Sequence, residues 1–330
     1  MDSWALLLGG FVLLIVGGEL LVRGAVQVAT RFGVSPLVIG LTLVGFGTSM
    51  PELVTSVQAA LADAPGIAYG NVVGSNIANI LLIVGIAAMI SPIAVTSAAL
   101  RRDGMAMLAV AAGFAALAAL MPMGRALGAG FLLLLALYVL LAFRQERAAA
   151  GGEDHGAAFD KGLALQGADP ALAPAPAPAP AHPGLLPAVL TALGGLALVL
   201  LGGRLLVDGA VTLARGLGIS ETVIGLTVVA VGTSMPELVT SVVAGLRRQG
   251  DVAFGNIVGS NIYNILGIAG TTALIAPGAV PAEILRFDNL VMVGVTVVLV
   301  LFAWTGLRIA RWEGAVLLAG YGLYLALLWP

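Results

Sequence analysis

The chain has no cysteine, two histidines and little charge: only 10% of its 330 residues are Asp, Glu, Lys or Arg. Without cysteine there are no disulfides and no thiolate metal sites. Both histidines, His155 and His182, lie in one polar stretch, so every apolar segment lacks nitrogen ligands. That disfavours zinc or copper in those segments and leaves an intramembrane protease without its Ser–His pair. A formal net charge of −2 gives no footprint for nucleic acid. What the chain has in abundance is hydrophobic residues, 60% of the total, with a mean hydropathy of +1.07. Such a composition belongs to polytopic membrane proteins.

Apolar stretches long enough to cross a bilayer, roughly 17–25 residues, fall at about 4–22, 34–61, 67–90, 104–122 and 126–143. A second set falls at about 184–206, 219–246, 252–276, 288–306 and 312–329. The reading is an all-α polytopic membrane protein with ten transmembrane helices. The first stretch lacks the basic n-region of a cleaved signal and is expected to be retained. Between the sets, residues 144–183 turn polar and end in ALAPAPAPAPAHP, which favours an extended, solvated rod. This linker is expected to be cytoplasmic and poorly ordered, with its two histidines solvated.

The two sets are copies. Shifted by 185 positions, Gly17–Gly85 matches Gly202–Gly270 at about 43 of 69 positions without a gap. The units are 1–143, with its most repeated part at about 34–90, and 184–330, with 219–276. Counting Lys and Arg on alternate sides of ten spans gives eleven against four, with Lys161 of the linker on the richer side. The richer side is cytoplasmic by the positive-inside rule, so both termini lie outside. Five spans per copy is odd, so the copies enter from opposite faces as inverted repeats, an architecture of secondary transporters. Glu19 and Arg23, and their counterparts Arg204 and Asp208, are each four apart and able to pair locally.

Each copy contains GTSMPELVTS in mid-span, at Gly47–Ser56 and Gly232–Ser241. Thr48 and Glu52 share a helical face, as do Thr233 and Glu237. Pro51 and Pro236 break the helix, which is expected to leave carbonyls near Gly45 and Ala230 without intrahelical partners. In a bilayer such a break is tolerated only where it lines an enclosed or watery cavity. Each copy also carries GNxxGSNIxN, in which Ser75 and Asn79, or Ser260 and Asn264, stand four apart. The result is a cage of oxygens with two carboxylates, suited to Ca²⁺ or Na⁺ and less to Mg²⁺. Asn71, Asn76, Asn256 and Asn261 fit either helix-to-helix ties or the cage. An intramembrane glutamate could also merely hydrogen-bond a neighbour, but two such costly groups beside prolines favour an ion site.

At these residues the chain resembles the sodium/calcium exchanger branch of the calcium:cation antiporter family, particularly prokaryotic members with two alpha-repeats. The resemblance covers both halves and omits the linker. It implies ion sites at Gly45, Thr48, Ser49, Glu52, Ser75 and Asn79, and at Ala230, Thr233, Ser234, Glu237, Ser260 and Asn264. It implies a secondary transporter of the bacterial inner membrane, with no cofactor and no enzyme activity, whose partners are Ca²⁺, Na⁺ and membrane lipid. A monomer would suffice for transport. Some relatives carry Asp where this chain has Asn264, so two formal charges argue against potassium co-transport. Electrogenic Na⁺/Ca²⁺ exchange by alternating access is expected, with an H⁺/Ca²⁺ antiporter as the alternative.

Overall fold

The computed structural model describes residues 3–32, 45–148, 157–168 and 185–329. A short helical turn at Gly45–Gly47 follows the first helix, and the longer helices in chain order are as follows. Helix α1 spans Ser3–Arg31, α2 Met50–Leu61, α3 Pro65–Ile90, α4 Leu100–Leu120, α5 Arg125–Ala148 and α6 Ala157–Ala168. Then follow α7 Leu185–Leu217, α8 Glu221–Thr233, α9 Met235–Leu246, α10 Gly250–Ile275, α11 Ile284–Trp304 and α12 Arg311–Leu328. Seven of the described helices are long and apolar enough to cross a membrane, and the bent pair α8–α9 makes an eighth. Of the expected 34–61 span, residues 34–44 lie outside the described residues, as do the Ala–Pro run, His155 and His182.

Two helices form the centre. The apolar window of α10 is 100% buried and that of α3 78%, against 22–39% for the other membrane-length helices. Polar residues are tolerated there because neighbouring helices, and not lipid, surround them. The outer helices present leucine to the bilayer, among them Leu133, Leu137 and Leu141 on α5.

Small residues let α1 and α7 touch along their length. Gly10, Gly17 and Gly24 face Gly202, Gly195 and Ala192–Ala188 respectively, so the two helices run antiparallel. A Cβ on Gly17 would stand 2.7 Å from the Val199 amide nitrogen, and one on Gly202 would stand 2.8 Å from that of Leu14. Lipid supplies no hydrophobic drive for helix pairing, so backbone approach of this kind is what holds such a pair together.

The sequence repeat persists as reciprocal contacts. Strand β1 (Ile93–Ala94) pairs antiparallel with β2 (Arg308–Ile309), and a separate bridge joins Met123 to Gly278. Gly278 is the repeat mate of Ile93, and Arg308 that of Met123. Gly85 likewise abuts Gly314 while its mate Gly270 abuts Gly128. Asp63 and its mate Arg248 both adopt a left-handed backbone, with φ 57° and 61°. A contact made by one copy on the other is thus returned, as in a two-fold pairing.

Two expectations change. The linker is not wholly extended: its residues 157–168 form α6, which is packed inside the molecule. Alanine and leucine give that stretch helix propensity, and the face carrying Ala157, Lys161 and Ala164 is small enough to lie on α10. Lys161, read as a loop cation, is fully buried; the charge bias keeps its sign without it. Glu19 and Arg23 form the expected ion pair. Arg204 and Asp208 are instead exposed and have no ion pair among the described residues, which is unremarkable for a surface pair worth ~0.3–0.5 kcal/mol.

Candidate functional site

Helices α2 and α9 each begin one residue after a serine whose backbone leaves the helical range, Ser49 (φ −89°, ψ 6°) and Ser234 (φ −83°, ψ 9°). Between α8 and α9 the axis bends by 48°. Pro51 and Pro236 occupy the first turn of the new helix, where an amide has no intrahelical acceptor to lose. Glu52 and Glu237 follow in that same first turn, where the helix dipole favours a carboxylate. Both glutamates are buried, 1% and 0% exposed.

The expected bare carbonyl at Ala230 is not bare. It accepts the Ser234 amide at 3.1 Å and faces the hydroxyls of Thr233 at 3.3 Å and Ser75 at 3.5 Å. A missing proline amide deprives the carbonyl four residues earlier, which is that of Gly232 or Gly47. At the first break the Ser49 amide bonds the Phe46 carbonyl at 3.1 Å.

The breaks are crossed. Ser234 Oγ donates to Glu52 Oε1 at 3.0 Å, and Ser49 Oγ lies 3.4 Å from Glu237 Oε1. The serine of each copy therefore holds the glutamate of the other. The second carboxylate oxygens, Glu52 Oε2 and Glu237 Oε2, are buried without a hydrogen-bond partner. So are Thr48 Oγ1, Asn79 Oδ1 and both amide atoms of Asn264. Buried polar atoms are satisfied in the great majority of cases, and a cluster of unmet oxygens is what a cation without its water requires.

Of the remaining predicted residues, Ser260 reaches the glutamate pair directly, and Ser75 reaches Asn71 and the Ala230 carbonyl. Ser260 Oγ is 3.5 Å from Glu237 Oε1, and Ser75 Oγ 3.4 Å from Asn71 Oδ1. Asn79 Nδ2 donates to Asn261 Oδ1 at 2.9 Å, joining the two central helices. Asn79 and Asn264 stand in widened turns, Asn79–Val84 and Tyr263–Ala269, an irregularity frequent at functional positions. A cavity of about 420 Å³ lies against Thr48, Pro51, Pro236 and Thr240, with Glu19 and Arg23 on its wall.

Asn71 and Asn256 tie helices. Asn71 Nδ2 bonds Ser56 Oγ at 2.9 Å and the Glu52 carbonyl at 3.1 Å, while Asn256 Nδ2 reaches Ser241 Oγ at 2.8 Å and Thr240 Oγ1 at 2.9 Å. Only one of them is fully used. Asn71 Oδ1 accepts Thr233 Oγ1 at 2.9 Å, whereas the mates Asn256 Oδ1 and Thr48 Oγ1 are both unmet. Asn71→Ala should therefore destabilise the protein by ~1–3 kcal/mol, the cost of stranding buried polar partners. Thermal unfolding in detergent should show Asn71→Ala below Asn256→Ala.

The residue missed by sequence reasoning is Lys161. From α6 its Nζ donates to Ser49 Oγ at 3.0 Å, to Glu237 Oε1 at 3.3 Å and to Ser260 Oγ. The Tyr263 ring lies 5.7 Å from it. A lone lysine in a polar linker carries no signal for such a place.

Comparison with known proteins bears on the family and the fold. Residues 2–144 and 187–329 match the family described as sodium/calcium exchanger protein. The chain is 37% identical to the sodium/calcium exchanger MaX1 of Methanosarcina acetivorans over 99% of its own length and 98% of that protein. It is 36% identical to the inner membrane protein YrbG of Escherichia coli, over 98% and 96%. Among solved structures, the sodium-calcium exchanger NCX_Mj soaked with sodium and calcium superposes with a TM-score of 0.62 at 33% identity, covering 100% of both chains.

Proposed function

The chain belongs to the sodium/calcium exchanger family of antiporters, and we propose that it exchanges Na⁺ for Ca²⁺ across an inner membrane by alternating access. The observation that carries the reading is the crossed pair: each glutamate is gripped by the other copy's serine and keeps one oxygen unmet. Two carboxylates balance one Ca²⁺ or two Na⁺, so the ions compete for one place. The named relatives MaX1 and NCX_Mj are sodium/calcium exchangers, which supports the same pair of ions here.

The ligands in this reading are Thr48, Ser49, Glu52, Ser75 and Asn79 with their mates Thr233, Ser234, Glu237, Ser260 and Asn264, completed by the carbonyls of Gly45 and Ala230. Thr48, Asn79 and Asn264 hold oxygens that have no other partner. The ten helices form two inverted repeats, a reading supported by the antiparallel run of the repeat mates α1 and α7. Units 1–143 and 184–330 close around the centre, joined by the 144–183 linker. We infer electrogenic exchange: a load of three Na⁺, one more than the two carboxylates balance, would move net positive charge against one Ca²⁺.

The test is ⁴⁵Ca²⁺ uptake into proteoliposomes with sodium, proton and potassium gradients imposed separately. Uptake should follow an outward sodium gradient at clamped pH and grow as the interior is made positive, because three Na⁺ leaving for one Ca²⁺ entering carries net positive charge out. Uptake driven by a pH gradient alone would replace this reading with H⁺/Ca²⁺ antiport.

A further inference from the structure

The repeat lays out what should cover each central helix. On α3, the glycines Gly66, Gly70 and Gly74 receive Thr222, Gly225 and Leu226 of α8 in turn, so α8 runs parallel to α3. Their mates on α10 include Gly255 and Gly259, and these receive α6 instead. Gly255 abuts the Asp160 side chain, and a Cβ on Gly259 would lie 3.0 Å from the Ala157 carbonyl and 3.3 Å from Lys161 Cβ. Further along, Ala164 packs with Val252 and Ala253. The order is reversed, so α6 runs antiparallel to α10. Among the described residues, it is the linker helix α6 that lies on the glycine face of α10.

That helix is fastened at its start, because the Ala157 amide donates to Asp103 Oδ2 at 2.9 Å. One turn on, it delivers an ammonium to the half-site of Glu237. The ammonium has three N–H donors and no acceptor, and three oxygens receive them: Ser49 Oγ, Glu237 Oε1 and Ser260 Oγ. All three belong to the residues that would bind a metal cation. Lys161 is 0% exposed, so the charge is viable there only because those oxygens replace its water. Among the described residues, the other half-site has no such guest. There Ser75 Oγ faces the Ala230 carbonyl and Thr233 reaches Asn71, whereas the matching atoms Thr48 Oγ1 and Asn256 Oδ1 stay apart and unmet.

We propose that helix Ala157–Ala168 is an in-cis blocker, in which the Lys161 ammonium fills the cation half-site of Ser49, Glu237 and Ser260 and must leave before exchange begins. The half-site accordingly accepts a primary ammonium as a competing ligand. This rests on the reading of the cage as the transport site. Metal cations and Lys161 then exclude one another, and the fraction of unblocked transporters scales the apparent affinity.

Two readouts test it. Lys161→Gln keeps a polar side chain and removes the charge; it should raise ⁴⁵Ca²⁺ uptake at subsaturating calcium, by about tenfold if one transporter in ten is unblocked. The second readout does not depend on transport. Because the chain has no cysteine, Ala164→Cys introduces a single thiol at a buried position of α6. Its labelling by a maleimide should be slow in choline buffer and accelerate as Ca²⁺ or Na⁺ is added, since the cation displaces Lys161 and frees the helix. Unchanged or lower uptake by Lys161→Gln, with wild type active, overturns the proposal. So does labelling that ignores both cations. A wild type inert to every sodium and calcium gradient would instead refute the transport reading, with the labelling arm still deciding whether α6 yields to cations.

Discussion

Glu52→Gln and Glu237→Gln should each lower sodium-dependent calcium uptake by at least about a hundredfold, while the protein still reaches the membrane folded. The size follows from the site. In the proposed site a divalent cation stripped of water would be balanced by two carboxylates and otherwise by neutral oxygens, so removing one would leave an uncompensated buried charge. Breaking a buried ion pair in this way costs ~3–5 kcal/mol, and every ~1.4 kcal/mol is tenfold in affinity. Glutamine keeps the shape and can still accept from the crossing serine, Ser234 or Ser49, so the fold should survive. Because the two contacts are reciprocal, both variants should fail alike. An effect confined to one glutamate would mean that the second carboxylate is structural.

The second large effect lies away from the ions, at the seam of α1 and α7. In Gly202→Val the new Cβ would sit 2.8 Å from the Leu14 amide nitrogen and 2.9 Å from the Gly10 carbonyl. Both are backbone atoms, so no rotamer change can relieve the clash and the helices must part. Overpacking costs ~1–3 kcal/mol even where side chains can give, which for a chain of this size corresponds to roughly 5 °C in melting temperature. Uptake should fall about tenfold or more, because the Val54 and Gln58 side chains of α2 also lean on this part of α7. Gly194→Val on the same helix is the control: a Cβ there meets nothing within 4 Å, and both activity and melting should stay at the wild-type level.

Much of this site is legible in the residues. A proline beside an acidic residue in a long apolar run has few uses, and its recurrence 185 positions later points to a two-sided arrangement. The proline marks where each new helix starts, with Glu52 and Glu237 in its first turn. What spacing could not convey is which copy each serine serves, because that contact spans 188 or 182 residues of sequence. Nor could spacing convey that the Ala230 carbonyl is met by the Ser234 amide, since the proline opens a helix and does not interrupt one.

Helix α6 was illegible for a different reason. Its twelve residues are too short to span a bilayer, and flanking Gly, Asp and Pro make the whole linker read as solvated chain. The alanines and leucines between Ala157 and Ala168 did carry a helical preference. Preference alone could not reveal a docking surface, and the partner that selects α6 is the glycine face of α10.

The central claim is that two mirror-placed carboxylates share one calcium ion. Equilibrium ⁴⁵Ca²⁺ binding to the purified protein, in detergent and without sodium, measures this directly. The account predicts one sodium-displaceable Ca²⁺ per chain for wild type and none for either single Glu→Gln variant. Undiminished binding in Glu52→Gln or in Glu237→Gln would contradict it.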